Sequence, residues 1–321
     1  MIFDKKIEKI YRSRMFSRQD VQPTVFYFSK DKFPGLRREP YLFFAQAGHR
    51  LQGYFYFYDA PSKERIVIFD HGMGAGHRAY MKEIELLARA GHLVFTYDHT
   101  GCVESEGSST GGFAQSLSDL DACITSLKAD GTLAGRTFSV VGHSWGAFAC
   151  MNIAAFHPDV THIVAMAGFV SVGKILEQNF TGLLKPYRKH LLTLEQQTNP
   201  IYADCRADES LRKTKAKTLL IYSADDPLIQ KTYHFDLLCN ALKDLENVRI
   251  LLVDGKGHNP NYTVDAVRYM NSFFEILKKK QKNHELDDDK TKYAFKKSFD
   301  WDRMTAQDGK VWAEIFDTLN S

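Results

Sequence analysis

The sequence predicts an α/β protein: a doubly wound, mostly parallel sheet with a small helical cap and a C-terminal helical extension. Three observations carry this. Short apolar runs bounded by Gly, Asp or polar residues alternate with longer helical stretches, the βαβα rhythm of parallel strands buried on both faces. Two aromatic-rich runs flanking Gly48 come first and read as an antiparallel hairpin. Between Ala167 and Thr218 the rhythm stops for longer than one crossover helix requires, which leaves room for a cap.

In chain order, residues 1–39 read as an amphipathic helix and an irregular lead-in. The hairpin follows as Pro40 to Phe44 and Leu51 to Tyr58. The parallel strands are Ile66 to Phe69, Leu93 to Tyr97, Phe138 to Val141, Ile163 to Ala167, Thr218 to Tyr222 and Val248 to Val253. Helices such as Tyr80 to Ala90 and Ser116 to Lys128 lie between them. The α/β core thus comprises 40–168 and 214–280, closing with a helix from Thr263 to Lys280. Segment 169–213 is the cap, and its apolar residues include Phe169, Phe180, Leu184 and Tyr187. Residues 281–321 read as a charged linker, Gln281 to Lys292, and a helix from Thr305 to Leu319. That helix opens with Thr305 and Asp308 at capping-box spacing, with Asp in place of the usual Glu. Its apolar face, Val311, Trp312, Ile315, Phe316 and Leu319, should dock on the domain.

Composition narrows the functional classes. With 44% hydrophobic, 25% charged and 13% aromatic residues, the chain is neither disordered nor fibrous. Its 42 basic and 39 acidic residues nearly balance and form no basic stripe, so no nucleic-acid partner is expected. The five cysteines (Cys102, Cys123, Cys150, Cys205 and Cys239) have no metal-ligand spacing, so no metal is expected, and they suit free thiols in a reducing cytoplasm. Met1 to Asp20 lacks the uninterrupted apolar run of a secretory signal. Ile163 to Val172, the longest apolar stretch, is too short to span a bilayer. A cytoplasmic protein without a transmembrane segment is expected; the sequence carries no signal for an oligomeric state.

The chemistry centres on Gly142-His143-Ser144-Trp145-Gly146, directly after a strand. A serine hydroxyl must be exposed and must lose its proton to act as a nucleophile. A sharp strand-to-helix turn lifts it out of the backbone, and only very small residues, here Gly142 and Gly146, fit beside it. A chain of this length carries such a motif by chance about one time in ten, so its surroundings decide. Asp70-His71-Gly72-Met73-Gly74 follows an earlier strand. Acyl transfer needs two N–H donors for the oxyanion, one from Trp145 and one from this loop, expected at Met73. His71 could brace the loop, with Gly72 beside it. Past the strand ending at Tyr222, Asp225 and Asp226 compete to orient an imidazole. Asp226, just before Pro227 and three residues past the small Ser223, is favoured, which leaves Asp225 a turn or capping role. After the last strand, His258 sits in Gly255-Lys256-Gly257-His258 with a side chain suited to moving protons near neutral pH. His143, Phe169, Phe180, Leu184 and Tyr187 are the expected substrate-pocket residues. Serine, acid and histidine each follow a separate strand, where open α/β sheets place their sites.

These residues resemble the α/β-hydrolase superfamily, in its monoacylglycerol-lipase and serine-aminopeptidase-like branch, from roughly Pro40 to Lys280. That branch carries an H-G-x-G loop and a D-x-x-G-x-G-x-S stretch before its G-H-S-x-G elbow. Asp98, Gly101 and Ser105 match the second stretch, whereas Val103 stands for its second glycine and Thr100 for a common arginine. Ser223 replaces the glycine of the family's G-x-x-D. The tail beyond Lys280 lies outside the pattern. The resemblance implies the α/β-hydrolase fold and a Ser144–Asp226–His258 triad needing no cofactor. The expected reaction is hydrolysis of a small-molecule carboxylic ester with a mainly apolar acyl or aryl group, as in carboxylesterases and lipase-like enzymes. A competing expectation is a serine aminopeptidase, because Gly142 to Gly146 differs by one residue from the G-G-S-W-G of proline iminopeptidases. Another is a non-catalytic ligand-binding or signalling protein on the same fold.

Overall fold

The computed structural model describes residues 2–321, with side chains from Lys5 onward; Met1, the first residue of the N-terminal segment, lies outside it. Helix α1 (Ile2–Met15) leads into the hairpin of β1 (Arg37–Phe44) and β2 (Arg50–Phe57). The alternating part follows as β3 (Arg65–Asp70), α2 (Met81–Arg89), β4 (Leu93–Tyr97), α3 (Gln115–Ala129), β5 (Thr137–His143), α4 (Trp145–Asn152) and β6 (His162–Met166). Next come α5 (Val172–Asn179), α6 (Tyr187–Thr198) and α7 (Ala207–Ser210), then β7 (Lys217–Ser223), α8 (Phe235–Leu242) and β8 (Val248–Val253). Four further helices close the chain: α9 (Val264–Lys282), α10 (Asp289–Lys297), α11 (Trp301–Met304) and α12 (Gly309–Asn320).

Eight strands form one sheet in the order β1-β2-β4-β3-β5-β6-β7-β8. β1 and β2 pair antiparallel, as do β2 and β4, and every later pairing is parallel. The inner strands run apolar throughout because both faces are covered: β3, β4, β5 and β6 are buried along almost their whole length. On one face α3, α4 and α7 bury Leu117, Leu120, Phe148 and Ala207. On the other, α2 and α12 bury Ile84, Leu87, Trp312 and Ile315. Among the described residues no helix is long and apolar enough to cross a membrane.

The C-terminal region departs from the sequence reading in two ways. The expected linker is helical from Asp289, because Asp288 caps α10 through the Thr291 N–H and Phe295 is buried in a small cluster with Phe273 and Met304. Thr305 does not open the last helix: it is the C-cap of α11, and Asp308 is the N-cap of α12, accepting from the Lys310 and Val311 N–H groups. The helix after the last strand does not cover the sheet. α9 buries Phe273 and Leu277 against α10 and α11, and the sheet face is covered instead by Val311, Trp312, Ile315 and Leu319 of α12.

Candidate active site

Ser144 sits between the end of β5 and the start of α4 with φ 55° and ψ −111°. A residue bearing a Cβ enters this region only under strain, and such strain gathers at functional sites. The neighbouring glycines are sterically required. A Cβ on Gly146 would lie 2.2 Å from the Asp70 carbonyl oxygen, and one on Gly142 would lie 2.6 Å from the Gly146 backbone.

Three side chains from the ends of three strands meet here. The Ser144 Oγ–H donates to His258 Nε2 at 2.8 Å, and His258 Nδ1–H donates to Asp226 Oδ2 at 2.8 Å. Asp226 is buried, and its other oxygen accepts from the Leu228 and Ile229 N–H groups at 2.8 and 3.0 Å. Four lone-pair directions on a fixed carboxylate thus aim one of them at the ring. Asp225 points elsewhere. Its Oδ1 accepts from the Ser223 hydroxyl and from the Lys256 and Gly257 N–H groups, which fastens the loop carrying His258.

The Gly72–Met73 peptide is oriented by His71. Its Nε2 accepts from the His99 N–H at 3.1 Å, so Nδ1 carries the proton and donates to the Gly72 carbonyl at 2.7 Å. Burial pushes the His71 pKa down to about 3, which keeps the ring neutral. In a planar trans peptide the N–H points opposite to the C=O. Holding the Gly72 carbonyl therefore turns the Met73 N–H the other way. Among the described residues neither the Met73 nor the Trp145 N–H has a backbone partner, and both residues line the cleft beside Ser144.

A second chain of hydrogen bonds ties this loop to His258. The Gly72 N–H donates to the Tyr80 oxygen at 3.2 Å, and the Tyr80 hydroxyl donates to His143 Nδ1 at 2.8 Å. His143 Nε2–H then donates to the His258 carbonyl at 2.7 Å. Burial and the adjacent His258 hold the His143 pKa down to about 3, as an acceptor Nδ1 requires. Beneath the loop, His99 lies between two carboxylates, 2.5 Å from Asp70 and 3.2 Å from Asp119. Burial alone would lower its pKa, but the two carboxylates outweigh that and raise it to about 9. Its ring packs 4.7 Å from that of Trp145 and 4.4 Å from that of His71, so it supports Trp145 directly and the oxyanion loop through His71.

Ser144 opens on a cleft of about 810 Å³. Of the expected pocket residues, His143 and Phe169 line it. Phe180 and Leu184 line a neighbouring cavity instead, and Tyr187, partly exposed at the start of α6, lines neither. Part of the remaining wall comes from places the sequence did not mark: Met15 of α1, Phe113 before α3, Leu228 and Ile229 after Asp226, and Met270 and Phe274 of α9. The apolar spacing of Ile7, Tyr11 and Met15 on α1 was the one available signal. Val103, which stands at the family's glycine position, takes a left-handed φ of 37°. Its loop is held in place by Arg18, which donates to the carbonyls of Val103, Ser105 and Gly107.

Comparisons agree with this architecture. An esterase from Pyrococcus furiosus superposes with a TM-score of 0.59 at 20% identity, covering 84% of this chain and 96% of its own. Acetyl xylan esterase 1 from a Thermoanaerobacterium species gives 0.53 at 13% identity, covering 80% and 88%. Such identities speak for the fold alone. No curated protein sequence matches the chain. The family model described as serine aminopeptidase, S33, a hydrolase family, matches residues 61–249. That stretch runs from β3 to β8 and holds the elbow and both aspartates, and the chain belongs to this family of the α/β-hydrolase superfamily.

Proposed function

We propose that the chain is a serine hydrolase that cleaves a carboxylic ester with a mainly apolar acyl or aryl group through an acyl-enzyme. The observation that carries this reading is the hydrogen-bonded relay Ser144–His258–Asp226, facing an apolar cleft. In the first half-reaction His258 Nε2 takes the Ser144 proton as Oγ attacks the ester carbonyl. The Met73 and Trp145 N–H groups receive the oxyanion, and Asp226 stabilises the imidazolium. The alcohol departs with the proton from His258. Water, deprotonated by the same ring, then releases the acid from the acyl-serine.

The family's name raises the aminopeptidase alternative, and the cleft argues against it. An amino-terminal ammonium needs an available carboxylate. Apart from Asp226 in the relay, the acid lining the cleft among the described residues is Asp225, and its Oδ1 is engaged by the Ser223 hydroxyl and by the N–H groups of the loop that carries His258. On the cap, Glu195 is fully buried and hydrogen bonded to Tyr11, and Glu177 is paired with Lys174. The deciding experiment sets p-nitrophenyl esters beside aminoacyl-p-nitroanilides, with fluorophosphonate labelling. Ester turnover should fall by about 10⁶ in Ser144→Ala, and labelling should vanish. Cleavage of anilides alone would move the assignment to an aminopeptidase. Inertness toward both substrates and the probe would leave a binding protein.

A further inference from the structure

A second space adjoins the Ser144 cleft. Between α1 and the cap lies a second cavity of about 410 Å³, and Met15, Phe113 and Asn179 face both spaces. Beyond these three, its lining is Ile7, Ile10, Tyr11, Leu176, Phe180 and Leu184, with Arg14 also present. The Tyr11 hydroxyl is spent on Glu195 at 2.6 Å, so the tyrosine offers the cavity its ring. We infer that this cavity holds the far part of a linear aliphatic chain whose ester group lies at Ser144, and that α1 is thereby a specificity-determining wall. The inference rests on the ester-hydrolase reading and extends it, because it selects an extended alkyl chain over a compact aryl group.

Three observations support it. Among the three residues that face both spaces is Met15, an unbranched side chain that shifts readily among rotamers. A flexible chain of small cross-section can pass such a point, whereas a rigid ring would stay in the cleft. The polar groups behind the aromatic lining are satisfied: Glu195 accepts from the Tyr11 hydroxyl and from the Phe113 N–H, so these two residues offer a chain their rings, and Arg14 at the rim is exposed to solvent. Finally, α1 is firmly anchored. Glu8 bonds His190 of α6 at 2.8 Å, the Thr110 hydroxyl donates to the Met15 carbonyl at 2.6 Å, and the Tyr11 ring lies 6.2 Å from that of Phe180. Terminal segments are poorly ordered unless tied down. This one is tied down across an apolar space that adjoins the reacting serine, and it precedes the residues that define the family.

The test uses two substrate series on the full chain: p-nitrophenyl esters from acetyl to dodecanoyl, and acetates of n-alkanols of the same lengths. They place the chain on the acyl and the alcohol side respectively. In one series kcat/KM should rise by roughly fourfold per methylene until the chain fills the second cavity. Ile10→Trp and Leu184→Trp fill that cavity from opposite sides, and neither residue lines the Ser144 cleft. Ile10 is 43% exposed and Leu184 39%, so both sites tolerate added bulk. Each variant should leave acetyl ester turnover within about twofold while cutting the octanoyl-to-dodecanoyl advantage by at least about tenfold. An unchanged length profile in both series would overturn the inference. A separate readout does not require ester cleavage: displacement of anilinonaphthalene sulfonate by dodecanoate from Ser144→Ala. Weakening by about tenfold or more on adding Ile10→Trp would support the chain site even if no ester were turned over. Equal binding with and without Ile10→Trp would count against the chain site whatever the fate of the ester reading.

Discussion

At the scale of single residues, the site is held by side chains that do not touch a substrate's reacting atoms. Tyr80 is the clearest case. Its oxygen accepts from the Gly72 N–H and its hydroxyl donates to His143, whose other nitrogen holds the His258 carbonyl. One phenol thus links the loop expected to hold the oxyanion with the residue expected to move the proton. Tyr80→Phe keeps the ring and leaves a buried N–H and a ring nitrogen without partners, at about 1–3 kcal/mol. We expect kcat to fall by roughly tenfold or more, with KM within about twofold, because the loss affects positioning rather than ground-state binding. Steady-state kinetics on one ester suffice, and an unchanged kcat would remove Tyr80 from the positioning network. The contrast with the relay shows what a sequence can disclose. Ser144, Asp226 and His258 were legible because each follows a strand within a short Gly- or Pro-marked motif. Tyr80, Met15 and Phe113 were not, because aromatic and apolar residues at such places look like ordinary core and reach the site only through tertiary packing.

At the scale of elements, the C-terminal extension has a task the sequence reading left open. α12 takes the sheet face that α9 leaves uncovered, and its N-cap grips the loop carrying His258. The buried Lys256 Nζ donates to Asp308 Oδ2 at 2.5 Å and to the Pro260 carbonyl at 3.2 Å, on either side of His258. The Asp308 N–H in turn donates to the Asn261 carbonyl at 2.8 Å. Asp308→Asn separates two roles: asparagine still caps α12 but leaves the Lys256 ammonium without its counter-charge. Asp308 keeps some solvent contact, so the cost should be about 1–3 kcal/mol rather than the larger penalty of a fully buried pair. A lower urea midpoint together with a reduced kcat is expected. A reduced midpoint with unaltered kcat would mean that α12 stabilises the fold without aligning His258. The apolar period of α12 was plain in the sequence. α10 was obscured because Asp289 to Lys297 is rich in lysine and buries only Phe295, so composition imitated a linker.

At the scale of the whole molecule, one carboxyl group joins three segments far apart in sequence. Glu195 of α6 is fully buried, accepts from the Tyr11 hydroxyl of α1 at 2.6 Å, and accepts from the Phe113 N–H at 2.9 Å. The loop can approach because Gly112 has φ 89°, and a Cβ there would lie 2.5 Å from a Glu195 oxygen. Such a junction is invisible to periodicity, since each partner reads as an isolated polar residue in its own segment. Burial raises the Glu195 pKa to about 7 from an ordinary 4.5, against the opposing pull of Tyr11, the Phe113 and Ala114 N–H groups and Arg12. The native state therefore holds this proton more tightly than the unfolded chain. The associated stability is fully present below about pH 4.5 and is lost as pH rises through about 7. Glu195→Gln keeps an acceptor for Tyr11 and cannot ionise. Relative to wild type, its unfolding free energy should gain steadily between about pH 4.5 and 7, by up to about 3 kcal/mol. Taking the difference between the two proteins cancels the histidines and other carboxylates that titrate in the same range. Urea unfolding at half-unit pH steps gives this curve directly. Parallel profiles would mean that Glu195 ionises in place at little cost, and that α1, the cap and the Phe113 loop stay joined across the physiological range.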